Sequence, residues 1–271
     1  MNCNEGAFNR NDWRKEESMK NVVVTGAAAG IGYFLVRELL AEGCNVTVLD
    51  LNVDSLGGLR KKYNSLLPMV CDVRDFKRMK VCVEESGRRY GGVDCAIHNA
   101  CLCTLGSLEQ TEEKTYREVM EVNYYGALHL AQAVLPYMKS QRKGKVIFTS
   151  SGVGVTGFAN ISPYASSKGA VESLAKCLDI EYRPYGVSFH VFHPPLTKTR
   201  SAASLPVPKE FMADPEKVGV GLARHIQAKS FVICPSFGQK VQMMGCYLFP
   251  LKMGRLMSRM ALKYEAGKNP E

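Results

Sequence analysis

Three side chains in the second half of the chain have the types and spacing of an acid–base site: Ser151, Tyr164 and Lys168. Tyr164-Ala-Ser-Ser-Lys168 opens a helical pattern, and a four-residue separation puts the phenol and the ammonium on one face of a helix. A free tyrosine titrates near ~10, and a fixed positive charge nearby is expected to lower that value by favouring phenolate. So placed, Tyr164 can exchange a proton with an alcohol or carbonyl oxygen. Ser151, at the end of the preceding strand, can hydrogen-bond the same oxygen and steady the charge that develops on it. Tyr-x-x-x-Lys by itself is equally what a surface helix pair looks like. The ordered combination with Ser151 gives it weight.

Proton exchange at oxygen needs a hydride partner at the adjoining carbon, and the start of the chain offers a place for one. Val22-Val23-Val24-Thr25-Gly26 runs into Ala27-Ala28-Ala29-Gly30-Ile31-Gly32. Glycines at a strand-to-helix junction let backbone approach a pyrophosphate, whose charge is held at the amino end of the helix. The spacing is Gly-x-x-x-Gly-x-Gly, not the Gly-x-Gly-x-x-Gly of the usual dinucleotide fingerprint, and a plain structural turn is the alternative. Asp50 ends the second strand, where a carboxylate can accept hydrogen bonds from both adenosine ribose hydroxyls and repel a 2′-phosphate. Basic partners for such a phosphate are missing, since Ala29 precedes the second glycine and Leu51 follows the aspartate. The preferred cofactor is therefore NAD rather than NADP.

The elements that must carry these residues alternate regularly. Strands are expected over Asn21–Thr25, Asn45–Asp50, Leu66–Cys71, Val93–His98, Lys145–Ser150, Val187–Phe192 and Ser230–Cys234. Between them fall helical patterns over Ile31–Glu42, Val53–Lys62, Phe76–Tyr90, Glu112–Ser140, Pro163–Tyr182 and Pro215–Gln227. Strands separated by helices imply right-handed crossovers. The expected fold is α/β, a single doubly wound parallel sheet with helices on both faces, Rossmann-like. One dinucleotide-binding catalytic domain, 20–238, follows a flexible extension, 1–19, and precedes a basic amphipathic tail, 239–271.

On these motifs the chain resembles the short-chain dehydrogenase/reductase family from about Lys20 to Cys234. The matching features are Thr25-Gly26-x-x-x-Gly30-x-Gly32, Asp72-Val73, Asn99-Ala100, Asn123, Ser151, Tyr164-x-x-x-Lys168 and Pro194 through Thr199. The resemblance implies cofactor contacts from Gly26, Gly30, Ile31, Gly32, Asp50 and Thr199. It implies that Asp72 and Val73 lie beside adenine and that Asn99 and Ala100 line the nicotinamide side. It also implies that Asn123 is catalytic, holding a water in a proton relay from Lys168, which in addition binds the nicotinamide ribose. Homo-oligomers are implied as well. Two departures stand out: the family's Asn-Ala-Gly reads Asn99-Ala100-Cys101, and its Pro-Gly reads Pro194-Pro195. A side chain at Cys101 narrows the substrate approach, and the second proline stiffens the loop. The double proline resembles the lipid-directed ketosphinganine reductase branch of the family.

The implied activity is an NAD(P)-dependent interconversion of a secondary alcohol and ketone, or of a primary alcohol and aldehyde. The residues after Ser151 (Gly152, Val153, Gly154, Val155, Phe158), with Leu196, point to a hydrophobic substrate. A non-catalytic NAD-binding sensor or scaffold is the alternative. His98, Cys101 and Cys103 lack a visible fourth ligand, so no metal is expected. His193 reads as a packing or hydrogen-bonding residue at a strand end.

The formal net charge of +9 invites a nucleic-acid reading, but its distribution argues against one. Residues 239–271 carry six basic side chains against two acidic ones, and no basic stripe is interleaved with stacking aromatics. Ten irregularly spaced cysteines without a Cys-x-x-Cys pair indicate reduced thiols and a cytoplasmic location. No apolar run is long enough to span a bilayer. In the tail, Met253, Leu256, Met257 and Met260 recur at helical spacing beside Lys252, Arg255, Arg259 and Lys263. That stripe either packs on protein or makes a peripheral membrane contact, and Pro250 and Gly254 weaken the helix that would carry it.

Overall fold

Runs of β-branched and apolar residues bounded by turns form seven strands: β1 (Asn21–Thr25), β2 (Asn45–Asp50), β3 (Leu66–Val70), β4 (Cys95–His98), β5 (Gly144–Thr149), β6 (Val187–Phe192) and β7 (Val232–Ile233). The computed structural model describes residues 19–268 except Ser204 and Pro206, so the expected flexible extension lies, but for Met19, outside the described residues. The strands make one parallel sheet in the order β3-β2-β1-β4-β5-β6-β7. The order reverses between β1 and β4, and in such sheets the crevice beyond the carboxyl ends of the strands at this switch is where ligands bind.

Among the described residues ten α-helices accompany them: α1 (Gly30–Ala41), α2 (Gly57–Lys62), α3 (Phe76–Tyr90), α4 (Glu113–Met120), α5 (Gly126–Gln141), α6 (Gly152–Thr156), α7 (Ser162–Tyr182), α8 (Pro215–Arg224), α9 (Phe237–Leu248) and α10 (Pro250–Lys268). Alternation along β1 sorts the core into two layers. Val22 and Val24 face a cluster with Leu35, Val36 and Leu39 of α1 and Leu222 of α8. Val23 faces the other, with Met79 and Val83 of α3, Leu130 and Val134 of α5, and Val171 of α7. The expected doubly wound sheet with helices on both faces is thus the observed one.

The differences from expectation have local causes. The helix expected over 53–62 is a single 3-10 turn, Asp54–Leu56, followed by α2. The helix expected over 112–140 is divided by a π-helical segment, Glu121–Tyr125, between α4 and α5. The last strand shortens to two residues. Neither α6 nor α9 was expected. In α10, Pro250 is the first residue, where its missing N–H breaks no helical hydrogen bond. Gly254 faces the Thr156 and Gly157 carbonyls so closely that a Cβ would collide with Thr156 and stand 3.0 Å from the Gly157 oxygen. The two residues expected to weaken this helix are the ones that start it and let it dock.

Candidate active site

A cavity of about 930 Å³ opens beyond the carboxyl ends of the strands. One end is built on the glycine loop. Gly26 has φ +62, and a Cβ there would overlap the Ala100 backbone, so β1 and β4 meet with no room for a side chain. Thr25 Oγ1 accepts from the N–H groups of Asn99 (3.2 Å) and Ala100 (3.3 Å), while Asn99 Nδ2 donates to the Gly26 carbonyl (2.6 Å). With two N–H groups on the Thr25 oxygen, its hydroxyl proton goes to His98 Nδ1, 3.0 Å away. Burial lowers the His98 pKa to about 3, with the charge of Lys168 acting the same way, so the ring is neutral.

At the start of α1, Ala29 provides no side-chain cap and the first turn holds no acidic residue. The free N–H groups of that turn are an anion site by charge and geometry. Gly26, Gly30 and Ile31 line the cavity, whereas Gly32 packs beneath the loop against Ala27 and Asn99. Asp50 also lines it, its Oδ2 accepting from the Ala28 N–H at 2.9 Å. Asp72 and Val73 line the same end. Arg74, also at the wall, is engaged by Asp72 through Nη2 at 2.5 Å and Nε at 3.0 Å, and this pairing holds the Asp72 carboxyl below its ordinary range. Asn99, Ala100 and Thr199 complete this half of the cavity, and the Thr199 methyl would stand 3.2 Å from a Cβ on Gly30. The loop after β6 therefore lies against the glycine loop. This uncapped helix start, glycine loop and terminal Asp50 fit a dinucleotide.

The other half brings Ser151, Tyr164 and Lys168 together. Ser151 follows β5 at the cap of α6, and its hydroxyl is hydrogen-bonded to Tyr164. Tyr164 lies in the first turn of α7, after Pro163, with Lys168 one turn on. Lys168 is almost fully buried, donates from Nζ to the Thr149 carbonyl at 2.7 Å, and stands 5.6 Å from the Tyr164 ring centroid. The expectation that Lys168 would lower the Tyr164 pKa does not hold in this arrangement. Burial pushes Tyr164 well above 10, aided by the neighbouring thiols of Cys101 and Cys103, and the Ser151 hydrogen bond only opposes this. Burial likewise lowers Lys168. The phenol is thus held protonated, as a donor.

Asn123 sits in the π-helical segment, a type of irregularity common at functional sites. Its amide accepts from the Leu102 N–H (2.8 Å) and donates to the Leu102 carbonyl (3.0 Å) and Ser167 Oγ (2.8 Å). Ser167 in turn donates to the Tyr164 carbonyl at 2.7 Å. The Asn123 side chain is buried behind the wall, which Val122 and Leu102 form, and pins the Leu102 loop to α7.

Of the expected apolar lining, Gly152, Val153, Phe158 and Leu196 face the cavity. Gly154 instead packs on Lys168, and Val155 turns toward Met243 and Cys246. The remaining wall comes from residues not anticipated in this role, chiefly Met243 and Cys246 of α9 and Met257 and Ala261 of α10. Behind it lies a buried polar cluster that was also missed. Glu172 Oε1 accepts from Ser150 Oγ (2.8 Å) and lies 2.9 Å from His193 Nε2, and Oε2 accepts from the Tyr247 hydroxyl (2.9 Å). Glu172 is one turn beyond Lys168 on the same face, which was the one available signal.

A parallel switch-point sheet with a glycine loop and a Ser–Tyr–Lys set defines a dinucleotide-binding oxidoreductase fold. The profile of the short chain dehydrogenase family matches residues 20–209, and the chain belongs to that family, whose members use NAD or NADP. It is 32% identical over 188 residues to 3-ketodihydrosphingosine reductase of Bos taurus, covering 66% of this chain and 57% of that protein. It is 32% identical over 176 residues to L-fucose dehydrogenase of Oryctolagus cuniculus, covering 65% of this chain and 62% of that one. The chain thus spans less than two thirds of the length of these relatives. Among solved structures, a short-chain dehydrogenase from Streptomyces avermitilis superposes with a TM-score of 0.75 at 24% identity, covering 93% of this chain and all of that one. A gluconate 5-dehydrogenase from Burkholderia cenocepacia, in complex with NADP and tartrate, gives 0.72 at 22% identity, covering 82% and 95%. Among the described residues no helix is long and apolar enough to cross a membrane.

Proposed function

We propose that the protein interconverts an alcohol and a carbonyl on a hydrophobic substrate, with NAD preferred over NADP and Tyr164 as the acid–base group. The observation that carries this reading is the convergence of Ser151, Tyr164 and Lys168 at one end of an apolar cavity whose other end is the glycine loop. The nicotinamide cofactor, when bound, accepts or donates the hydride. Gly26, Gly30, Ile31 and the free N–H groups of α1 would hold its pyrophosphate, Asp50 its adenosine ribose, Asp72 and Val73 its adenine, and Asn99, Ala100, Lys168 and Thr199 its nicotinamide half.

In the reducing direction the protonated Tyr164 phenol gives its proton to the substrate oxygen while Ser151 donates a hydrogen bond to the same oxygen. Lys168 restores the proton balance of the tyrosine, and Asn123 keeps the loop bearing Leu102 against α7. In the oxidising direction the phenolate takes the alcohol proton as hydride leaves the carbon. A carboxylate at Asp50, with Arg74 committed to Asp72, supports NAD, because a 2′-phosphate beside Asp50 meets like charge and no free cation on Ala29 or Leu51. The wall of Val153, Phe158, Met243 and Met257 supports a lipid-like or alicyclic substrate over a sugar, since each polar group brought there loses water without a partner.

The test is a screen of purified protein with NAD and NADP against matched panels of long-chain, alicyclic and sugar alcohols and carbonyls. Turnover of apolar members with NAD is expected. Tight NAD binding with no turnover on any member would favour the sensor reading instead.

A further inference from the structure

The outer face of α9 is apolar and bare. Gln239, Met243 and Cys246 turn inward and are buried, yet Phe237, Val241, Met244 and Leu248 are exposed by 80%, 48%, 59% and 64%. Their spacing of four, three and four residues places all four on a single stripe of the helix. The stripe continues into the elbow between α9 and α10, where Phe249 and Leu251 are also exposed, by 55% and 66%. Exposed apolar area on the order of several hundred Å² gathered on one element marks an interaction surface. The methionine stripe expected on α10 is divided: Met253 and Met257 face inward, while Leu256 and Met260 are exposed.

The charges on α9, on the elbow and on the first half of α10 have one sign. Lys240 lies beside Val241 on α9, Lys252 lies in the first turn of α10, and Arg255 and Arg259 are exposed further along it. Between Glu216 and Glu265 the sequence contains no acidic residue. A symmetric pairing of this face with a second copy brings cations toward cations and supplies nothing to balance them. An anionic lipid surface matches both properties at once, taking the apolar stripe below its headgroups and the cations among them.

We propose that the outer stripe of α9 and the α9–α10 elbow dock the protein on an anionic lipid bilayer. Phe237, Val241, Met244 and Leu248 insert, and Lys240 and Lys252 pair with lipid phosphates. The inward faces of the same two helices wall the cavity, so docking sets the apolar chamber beside the phase in which apolar substrates dissolve. Partition onto vesicles is read without turnover, so it stands or falls apart from the reaction proposed above.

The full chain is sedimented with vesicles of phosphatidylglycerol and phosphatidylcholine, and with phosphatidylcholine alone. Each cation near an anionic surface contributes about fivefold to partition, so Lys240→Gln with Lys252→Gln should lower it about twenty-five-fold. High salt should release the wild-type protein. Phe237→Ser, Met244→Ser and Leu248→Ser combined should reduce partition at least tenfold while leaving the circular dichroism spectrum and the thermal shift on adding NAD unchanged. A chain that stays in solution, or binds neutral vesicles as well as anionic ones, overturns the proposal. So does a dimer in lipid-free solution that the same serine variant disperses, which would make this face a contact between copies.

Discussion

Removing one hydroxyl from α9, in Tyr247→Phe, should destabilise the whole protein by a calculable amount. Glu172 is only 4% exposed. Its Oε1 has both Ser150 and His193, but Oε2 has the Tyr247 hydroxyl at 2.9 Å and, among the described residues, no other hydrogen-bond partner. A hydrogen bond to a charged group contributes about 1.5–3 kcal/mol, and the partial exposure of Tyr247 lets water replace some of it, so the lower end of that range applies. For a chain of this size about 1.5–2 kcal/mol corresponds to a fall in Tm of about 3–8 °C. The pH dependence carries a sign. Burial alone would raise the Glu172 pKa, but hydrogen bonds from His193, Ser150 and Tyr247 outweigh it and hold the carboxyl below its ordinary range. Its contribution to stability is therefore full above the unfolded value near ~4.3 and is lost as pH falls through the lower folded value. The variant has less to lose, so the difference between the two proteins should hold from pH 7 down to about the unfolded value and shrink below it, being smaller at about pH 3 than at pH 7. Thermal unfolding followed by circular dichroism at both pH values is the assay. A shift under about 1 °C at pH 7, or one equally large at about pH 3, would refute the assignment of Tyr247 to an ionised Glu172.

Tyr164→Phe keeps the ring and loses the titrating oxygen, so turnover should fall about 10²–10⁴-fold with NAD affinity nearly intact by calorimetry; near-normal turnover would remove tyrosine from the reaction. Lys168→Ala should lower both, and unchanged NAD affinity would separate the lysine from the cofactor. Asp50→Ala with Leu51→Arg should shift the ratio of kcat/KM values toward NADP, by deleting repulsion and adding a phosphate partner; a parent protein already faster with NADP would show the Asp50 reading to be wrong. Because burial holds Tyr164 above 10, carbonyl reduction, which uses the phenol, should be flat between pH 6 and 8, whereas alcohol oxidation, which uses the phenolate, should rise across the same interval. An oxidation rate that levels off below pH 8 would contradict that direction.

The parts of the fold legible in the sequence are those where local chemistry and tertiary packing agree. Phe76–Tyr90 falls within its expected bounds because Asp75 caps it, accepting from the Arg78 N–H, and Gly91 ends it with φ 80. β1, β2 and β6 match their apolar runs residue for residue. The π-helical break at Glu121–Tyr125 is a single turn, too short to show in a hydrophobic period read over about 11–18 residues, and so α4 and α5 read as one helix. The glycine loop, Asp50 and the Ser–Tyr–Lys spacing were legible as types and distances along the chain. The direction of the Tyr164 pKa was not, because it depends on how deeply the phenol is buried and on where Lys168 turns, toward Thr149. Gly254 misled for a similar reason: its helix propensity is poor everywhere, but the Thr156 carbonyl it touches is a property of the folded chain.

The division between chemistry and specificity follows the chain. The family profile matches residues 20–209, which include every residue assigned to cofactor or proton transfer, whereas Met243, Cys246, Met257 and Ala261 lie beyond it. A 3-ketodihydrosphingosine reductase and an L-fucose dehydrogenase match this chain with equal identity, so the resemblance does not choose between their substrates. The wall that α9 and α10 add lies outside residues 20–209, and on its inner side Met243, Cys246, Met257 and Ala261 stand beside Gln239 and Gln242. Tyr247 fastens that wall to Glu172, one turn from Lys168, so it is tied by a hydrogen bond to the helix that carries Tyr164 and Lys168. On the function proposed above, substrate choice would rest on the carboxyl-terminal helices, and substitutions on their inner faces should alter KM among apolar substrates before they alter kcat.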